Sequence, residues 1–282
     1  MVTPMNFADI MALEAEGEDR WLGRGPRYPW GGLFGGQILS QSLRAASMSV
    51  AHPLAVHSLH AYFIRPGDHS APIRFEVERV RDGRSFATRR VLAKQESGAI
   101  MALSASFQTP EQAPVAAADH QTIACPEVPA AEQLGNETWS TLFERRFTDL
   151  KRRQPGTTQG QRLGPSAWFR MVEPLPDDPV MQACALAYLC DDLPTEAVLV
   201  GHPDGPLSLE EVWVASLDHA MWFHRPGRAQ DWNLHHFACH ALSGPRGLGI
   251  GHVFDARGIH LATVSQEVVL RPRRGKATWV ES

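Results

Sequence analysis

Residues 212–226 read Val-Trp-Val-Ala-Ser-Leu-Asp-His-Ala-Met-Trp-Phe-His-Arg-Pro. The run is rich in valine and aromatic residues and closes on the turn signal Arg225-Pro226-Gly227, so it reads as one buried strand. Ser216, Asp218 and His219 nevertheless sit in its middle. Polar groups inside an apolar strand are costly unless they are partnered, so they mark a structural network or a site.

A half-copy lies upstream. His60-Ala61-Tyr62-Phe63-Ile64-Arg65-Pro66-Gly67 resembles His219 to Gly227, with one extra residue in the later copy. Gly98-Ala99-Ile100-Met101-Ala102 likewise resembles Gly258-Ile259-His260-Leu261-Ala262, and 31 positions separate Gly67 from Gly98 and Gly227 from Gly258. Two signatures kept at one separation indicate a duplicated domain. The expected division is an N-terminal unit at 1–110, a linker at 111–135 and a C-terminal unit at 136–282.

The chain has 282 residues, comfortable for two domains, and its 43% apolar and 21% charged composition calls for a packed core. A net charge of −4 gives no broad footprint for nucleic acid, and the basic runs at 145–146, 151–153 and 271–276 read as solvated surface. The four cysteines, Cys125, Cys184, Cys190 and Cys239, have no C-x-x-C spacing and read as free thiols in a reducing compartment. Thirteen histidines invite a metal, but His235 and His236 are strand neighbours that face opposite ways and H-E-x-x-H is missing, so neither metal nor cofactor is expected. No apolar run reaches a membrane span and the first residues lack signal-peptide character, so a cytoplasmic protein is expected.

Along the chain, residues 5–20 read as a leading helix and 21–29 as a loop. A glycine-rich turn, Trp30 to Gln37, opens a helix from Ile38 to Met48. Such a helix start presents unpaired N–H groups that suit an oxyanion or phosphate; close helix-to-strand packing explains the glycines equally well. Strands follow at 56–65, 73–81, 86–95 and 100–108. After the proline-rich linker, strands are expected at 143–150 and 168–172, with a loop at 154–165 between them. A helix comes next at 179–189, apolar almost all round and therefore buried. Strands at 212–224, 232–242, 247–255 and 260–270 repeat the order of helix and meander.

Phe34-Gly35-Gly36-Gln37, His57 to Asp68, Arg81 to Phe86, Leu217 to Pro226 and Ser265-Gln266-Glu267 together resemble the acyl-CoA thioesterase II family. The similarity runs in order from about residue 20 to residue 272, and five motifs in register are far more specific than one. The resemblance implies an α+β double hotdog, two units of helix wrapped by antiparallel sheet in one chain. It implies hydrolysis of acyl-CoA to free acid and CoA by an Asp, a Ser or Thr and a Gln that hold the attacking water. Those positions are Asp191, Ser216 and Gln266 here. The family usually has one Asp at the helix end, whereas this chain has Asp191 and Asp192; Asp191 matches best and Asp192 is the alternative.

The chemistry suits these residues. A thiolate is a fair leaving group, so a base and a stabilised oxyanion suffice. A buried carboxylate at a helix C-terminus gains basicity from desolvation and from the negative end of the dipole. A helix-end carboxylate in solvent and backbone-bonded Ser and Gln are the plain alternatives. Gly35, Gly36 and Gln37 are the candidate substrate-binding amides, and an equivalent amide near the second helix is the alternative oxyanion donor. A nucleophilic serine is not expected, because no G-x-S-x-G elbow occurs. Asp218 and His219 read as structural. Aligning His60 with His219 sets His57 at the place of Ser216 and Ser106 at that of Gln266, so one active site per chain is expected. A hotdog hydratase or dehydratase, and a catalytically silent acyl-CoA-binding protein, are the competing readings. Hotdog sheets pair edge to edge, so a homo-oligomer is expected.

Overall fold

The computed structural model describes residues 5–111, 120–148, 164–203 and 205–273. Two antiparallel helices, α2 (Gly35–Met48) and α3 (Pro179–Cys190), lie side by side at its centre. An antiparallel sheet wraps them. In chain order its strands are β1 (Glu14–Gly17), β2 (Arg20–Gly23), β3 (Ala55–Phe63), β4 (Ile73–Asp82), β5 (Phe86–Gln95), β6 (Gly98–Gln108), β7 (Phe143–Phe147), β8 (Ser166–Met171), β9 (Val212–Ser216), β10 (Asp218–Phe223), β11 (Asn233–Ser243), β12 (Arg246–Asp255) and β13 (His260–Pro272). The spatial order is β1-β2-β4-β5-β6-β3-β10-β13-β12-β11-β8-β7, with β9 also paired to β13. The two halves therefore join at β3 and β10, where Ala61 faces His219 and Leu59 faces Met221. This is the double hotdog that the family resemblance implied, and it agrees with the duplication.

Composition explains the helices. From Met181 to Cys190 every residue of α3 but the half-buried Ala183 is buried, with α2 on one side and sheet on others, so it has no polar face to display. Asp178 caps it by accepting from Val180 N at 3.0 Å, and Pro179 fits its first turn. α2 carries buried Ser40, Gln41 and Ser42 among Leu39, Leu43, Ala45 and Ala46. Gln41 is satisfied by donating to the carbonyls of Ile10 and Arg24.

Four elements differ from the sequence reading. The leading helix is only α1 (Phe7–Met11); residues 14–23 form the hairpin β1–β2 on the sheet edge. Its alternating acidic residues pair across to the next strand, Glu16 with Arg74 and Asp19 with Arg79, which favours extension over helix. The run 212–226 is not one strand. It breaks at Leu217 into β9 and β10, because pairing against β13 slips by one residue there, a β-bulge. A helix that the sequence reading lacked, α4 (Leu193–Val200), follows α3 at once and packs on β11 and β12. Pro194 stands in its first turn, where a missing N–H costs nothing. The strand expected at 143–150 is β7; residues 149–150 and most of the loop expected at 154–165 lie outside the described residues, as do parts of the linker and the basic runs at 151–153 and 274–276.

The described part of the linker crosses the outer face of the second half's sheet. Gln121 bonds Gly258 O and His260 N, and Trp168 donates to Pro129 O. Ala131, Trp168, Leu234 and Phe254 form a small apolar cluster beneath it. No helix among the described residues is long and apolar enough to cross a membrane.

Candidate active site

The end of α3 meets the start of α2. Asp191 is the C-cap of α3 and is 6% exposed. The approach is so close that a Cβ on Gly36 would stand 2.4 Å from Tyr188 O, and one on Gly35 would stand 2.5 Å from Asp191 Oδ2. Only glycine permits this junction. Phe34, the N-cap of α2, provides no side-chain cap, and the Gly36 amide is directed at the Asp191 carboxylate. Gln37 is fully buried. Its amide closes onto Phe34 O, its Nε2 donates to Gln41, and its Oε1 has no partner among the described residues.

The bulge at Leu217 supplies the other side. Residues three apart on a regular strand face opposite ways, but the extra residue brings Ser216 and His219 to the same inner face. Gln266 on β13 lies between them. It donates from Nε2 to Ser216 Oγ at 2.8 Å, and its Oε1 is 2.6 Å from His219 Nδ1. Gln266 and His219 are fully buried.

Burial pushes the Asp191 carboxyl up to about 7. Hydrogen bonds from Gln266, the Gly36 amide and Ser216 oppose that rise by favouring the charged form, and neighbouring Asp192 adds to it. Asp191 Oδ1 has no protein partner among the described residues. The arrangement is a proton acceptor near neutrality, ringed by three donors, with one oxygen open. Burial lowers His219 to about 4, so it is neutral there.

The structure thus brings Asp191, Ser216, Gln266, Gly35 and Gly36 together. Asp192 turns away and accepts from Trp139 Nε1 and Arg145 Nη1, each at 2.6 Å. Asp218 accepts from the backbone N–H of Glu267 on the last strand, opposite the bulge at Leu217. His219, read from the sequence as structural, touches Gln266. Its signal in the sequence was a histidine three residues from Ser216, which reads as facing away unless the bulge is known.

The placement of His57 and Ser106 needs correction. The turn at the strand ends fixes the true register: Ile64 N and Arg65 N donate to Ile100 O, while His224 N and Arg225 N donate to Leu261 O. Ile100 therefore matches Leu261, one residue off the sequence echo. Counting from there, Ala105 matches Gln266, Leu59 matches His219 and Val56 matches Ser216. His57 is the bulge residue of the first half, and it bonds Ser106 at 2.8 Å on the outer face. A one-residue slip moves a side chain through the sheet. The first-half positions that match Ser216, His219 and Gln266 are thus Val56, Leu59 and Ala105, all apolar.

Elsewhere, His235 packs on Phe169 inside while His236 bonds Ser166, so the two face apart. His224 and His252 approach Thr263 Oγ1 in an outer cleft of about 650 Å³ that includes His57 and His260, across the sheet from Asp191. No described cluster of His, Cys, Asp and Glu has the geometry to hold a metal ion. The cysteines are free, Cys184 and Cys190 fully buried.

Comparison with known proteins agrees with the duplicated architecture. Residues 25–108 match a family model for the acyl-CoA thioesterase N-terminal domain, and residues 122–270 match one for the C-terminal domain. Acyl-coenzyme A thioesterase 8 of Homo sapiens is 34% identical over 288 residues, covering 93% of this chain and 88% of that protein. Acyl-CoA thioesterase 2 of Haemophilus influenzae is 32% identical, covering 94% of this chain and 97% of that protein. Among solved structures, an acyl-CoA thioesterase II from Mycobacterium marinum superposes with TM-score 0.81 at 36% identity, covering 96% of this chain and 99% of that one.

Proposed function

The chain belongs to the acyl-CoA thioesterase II family, and on that premise we propose that it hydrolyses acyl-CoA thioesters to a carboxylic acid and CoA with Asp191 as general base. The observation that carries the assignment is the buried Asp191 carboxylate, raised to about 7 and surrounded by Gln266, Ser216 and the Gly36 amide. A base with a pKa near the working pH is both deprotonated and strong enough to take a proton from water.

In this mechanism a water bonds the open Oδ1 of Asp191 and is aligned by Ser216 and Gln266. Its oxygen attacks the thioester carbon while its proton passes to Asp191. The carbonyl electron pair moves onto oxygen, and the positive start of α2 at Gly35–Gly36 stabilises it. When the carbonyl re-forms, the C–S bond breaks and CoA leaves as a thiol that recovers the proton from Asp191. Gly35 and Gly36 face the substrate at this junction, whereas Gln37, buried with its amide spent on Phe34 O, supports the turn rather than the ligand. The thiolate leaves readily, with an ordinary thiol pKa of about 8.5, so no step requires a metal.

In this reading the N-terminal unit (1–110) and linker (111–135) support a C-terminal unit (136–282) that carries the three side chains. The protein works in the cytoplasm on soluble acyl-CoA, as a homo-oligomer. The test is thiol release from acyl-CoAs of short, long, branched and aromatic chains, with the acid product identified by mass. Stoichiometric thiol and free acid support hydrolysis. An unsaturated acyl-CoA product would replace it with dehydration, and tight binding without thiol would replace it with a silent binder.

A further inference from the structure

The two ends of the Gln266 side chain are chemical opposites, so its value to Asp191 depends on which end faces the carboxylate. Its Oε1 is 2.6 Å from His219 Nδ1, and its Nε2 donates to Ser216 Oγ at 2.8 Å. A carbonyl oxygen only accepts, so His219 holds its proton on Nδ1. Nε2 of His219 is then bare, and it is buried with no partner among the described residues. A buried polar atom left unpaired destabilises a fold. The first half places Leu59 at the matching position, equally buried. The architecture therefore has an apolar solution here, and the second half departs from it at the one place where the side chain reaches Gln266.

We propose that His219 is a positioning residue whose Nδ1–H fixes the Gln266 amide with its NH₂ toward Asp191 and Ser216. The inference rests on the assignment of Asp191, Ser216 and Gln266 above. Donors then run in one direction: His219 to Gln266 Oε1, and Gln266 Nε2 to Ser216 Oγ. The Ser216 hydroxyl hydrogen and the second amide hydrogen remain for Asp191 and its water. With the amide reversed, a carbonyl would face a carboxylate, and Asp191 would lose a donor that favours its charged form. It would keep its proton to higher pH, and less of the enzyme would carry a working base at neutrality.

The test compares wild type with His219→Leu, His219→Asn, Gln266→Leu and the His219→Leu/Gln266→Leu double variant. In His219→Leu, kcat should fall roughly 10–100-fold, with KM within about threefold and the acid limb of kcat/KM moved up by about half a pH unit or more. Asn, whose amide nitrogen stands close to the position of Nδ1, should recover most of kcat. In the Gln266→Leu background, His219→Leu should have no further effect, because it acts through that amide. Unchanged kcat and acid limb in a folded His219→Leu, or an equal loss in both backgrounds, would overturn the proposal. Should the leucine protein not fold, ¹⁵N NMR of histidine-labelled wild type decides: a protonated Nδ1 on His219 supports the proposal and a protonated Nε2 refutes it. Asp191→Asn runs alongside. Full activity there would remove the reading of the whole site; inactivity there with an unaffected His219→Leu would remove only this inference.

Discussion

Each central helix starts beside the end of the other, so the molecule has two such junctions, and they are built from opposite materials. At one, α3 ends in Asp191 against an α2 start that no side chain caps. At the other, α2 ends in Ser49, the position that matches Asp191, and the α3 start is capped by its own Asp178. Arg44 lies 3.8 Å from Asp178, which ties the two ends together. Beneath Ser49 stands Arg89, fully buried and donating to Ser49 Oγ at 2.8 Å and Ser49 O at 3.0 Å. Arg89 pairs with Ala105 as Gly249 pairs with Gln266, so the two occupy matching positions. One junction is filled by a guanidinium that donates to Ser49, to the carbonyls of Arg81 and Thr88 and to Asp82. The other keeps a carboxylate whose burial is only partly compensated by its hydrogen bonds. The same backbone thus yields one end closed by hydrogen bonds and one end with a raised carboxyl, which the proposed mechanism uses as its reactive end.

The largest effect should come from converting the reactive end. Asp191→Ser, Ser216→Val and Gln266→Ala together install the first half's residues and should lower kcat by roughly 10⁴-fold with the fold retained. Circular dichroism and thiol release check both parts; surviving activity would move the chemistry to the other junction.

The next effect is on stability. The Asp191 carboxyl goes from 3.8 when unfolded to about 7 when folded. The folded state therefore binds the proton more tightly, and the burden of a buried charge is absent below the lower value and complete above the upper one. Asp191→Asn should therefore stabilise the protein by a few kcal/mol at pH 8 and by little at pH 4. Denaturant midpoints at the two pH values measure this, and a pH-independent difference would contradict it.

Gly36→Ala should destabilise by about 2–3 kcal/mol through overpacking against Tyr188 O, whereas Val180, its counterpart at the α3 start, already bears a side chain. Equal tolerance at both junctions, read from melting curves, would erase the structural contrast. Smaller still, Ser216→Ala and Gln266→Ala should each reduce kcat roughly 10–100-fold, while Val56→Ala should leave kcat unchanged. Steady-state kinetics on folded proteins separates these outcomes.

Much of this was legible in the sequence. The repeated Arg-Pro-Gly and glycine signatures carried the duplication, and with it the double layer and its meanders. Asp191, Ser216 and Gln266 could be named before the fold was seen. What could not be read was phase. A β-bulge adds a residue without any change in composition, and two of them, at His57 and Leu217, decide which side chains enter the core. His57 and Ser106 were matched to the wrong partners because His60 corresponds to Ala220 rather than His219, and because the second half has one residue more between Gly258 and the last strand. α4 was hidden for another reason. Its Pro194 is a stop signal by type and a start signal by position, and only the helix already in place distinguishes them.

The most direct measurement is the pH dependence of thiol release from acyl-CoA by the wild-type protein and by Asp191→Asn, from pH 5 to pH 9. The account predicts that wild-type kcat/KM rises with pH through an acid limb near 7, the value to which burial carries Asp191. The folded Asn variant should be slower by at least about 10³-fold and lack that limb. An Asn variant that releases thiol at the wild-type rate with the same limb would contradict it, and the base would then have to be sought outside Asp191.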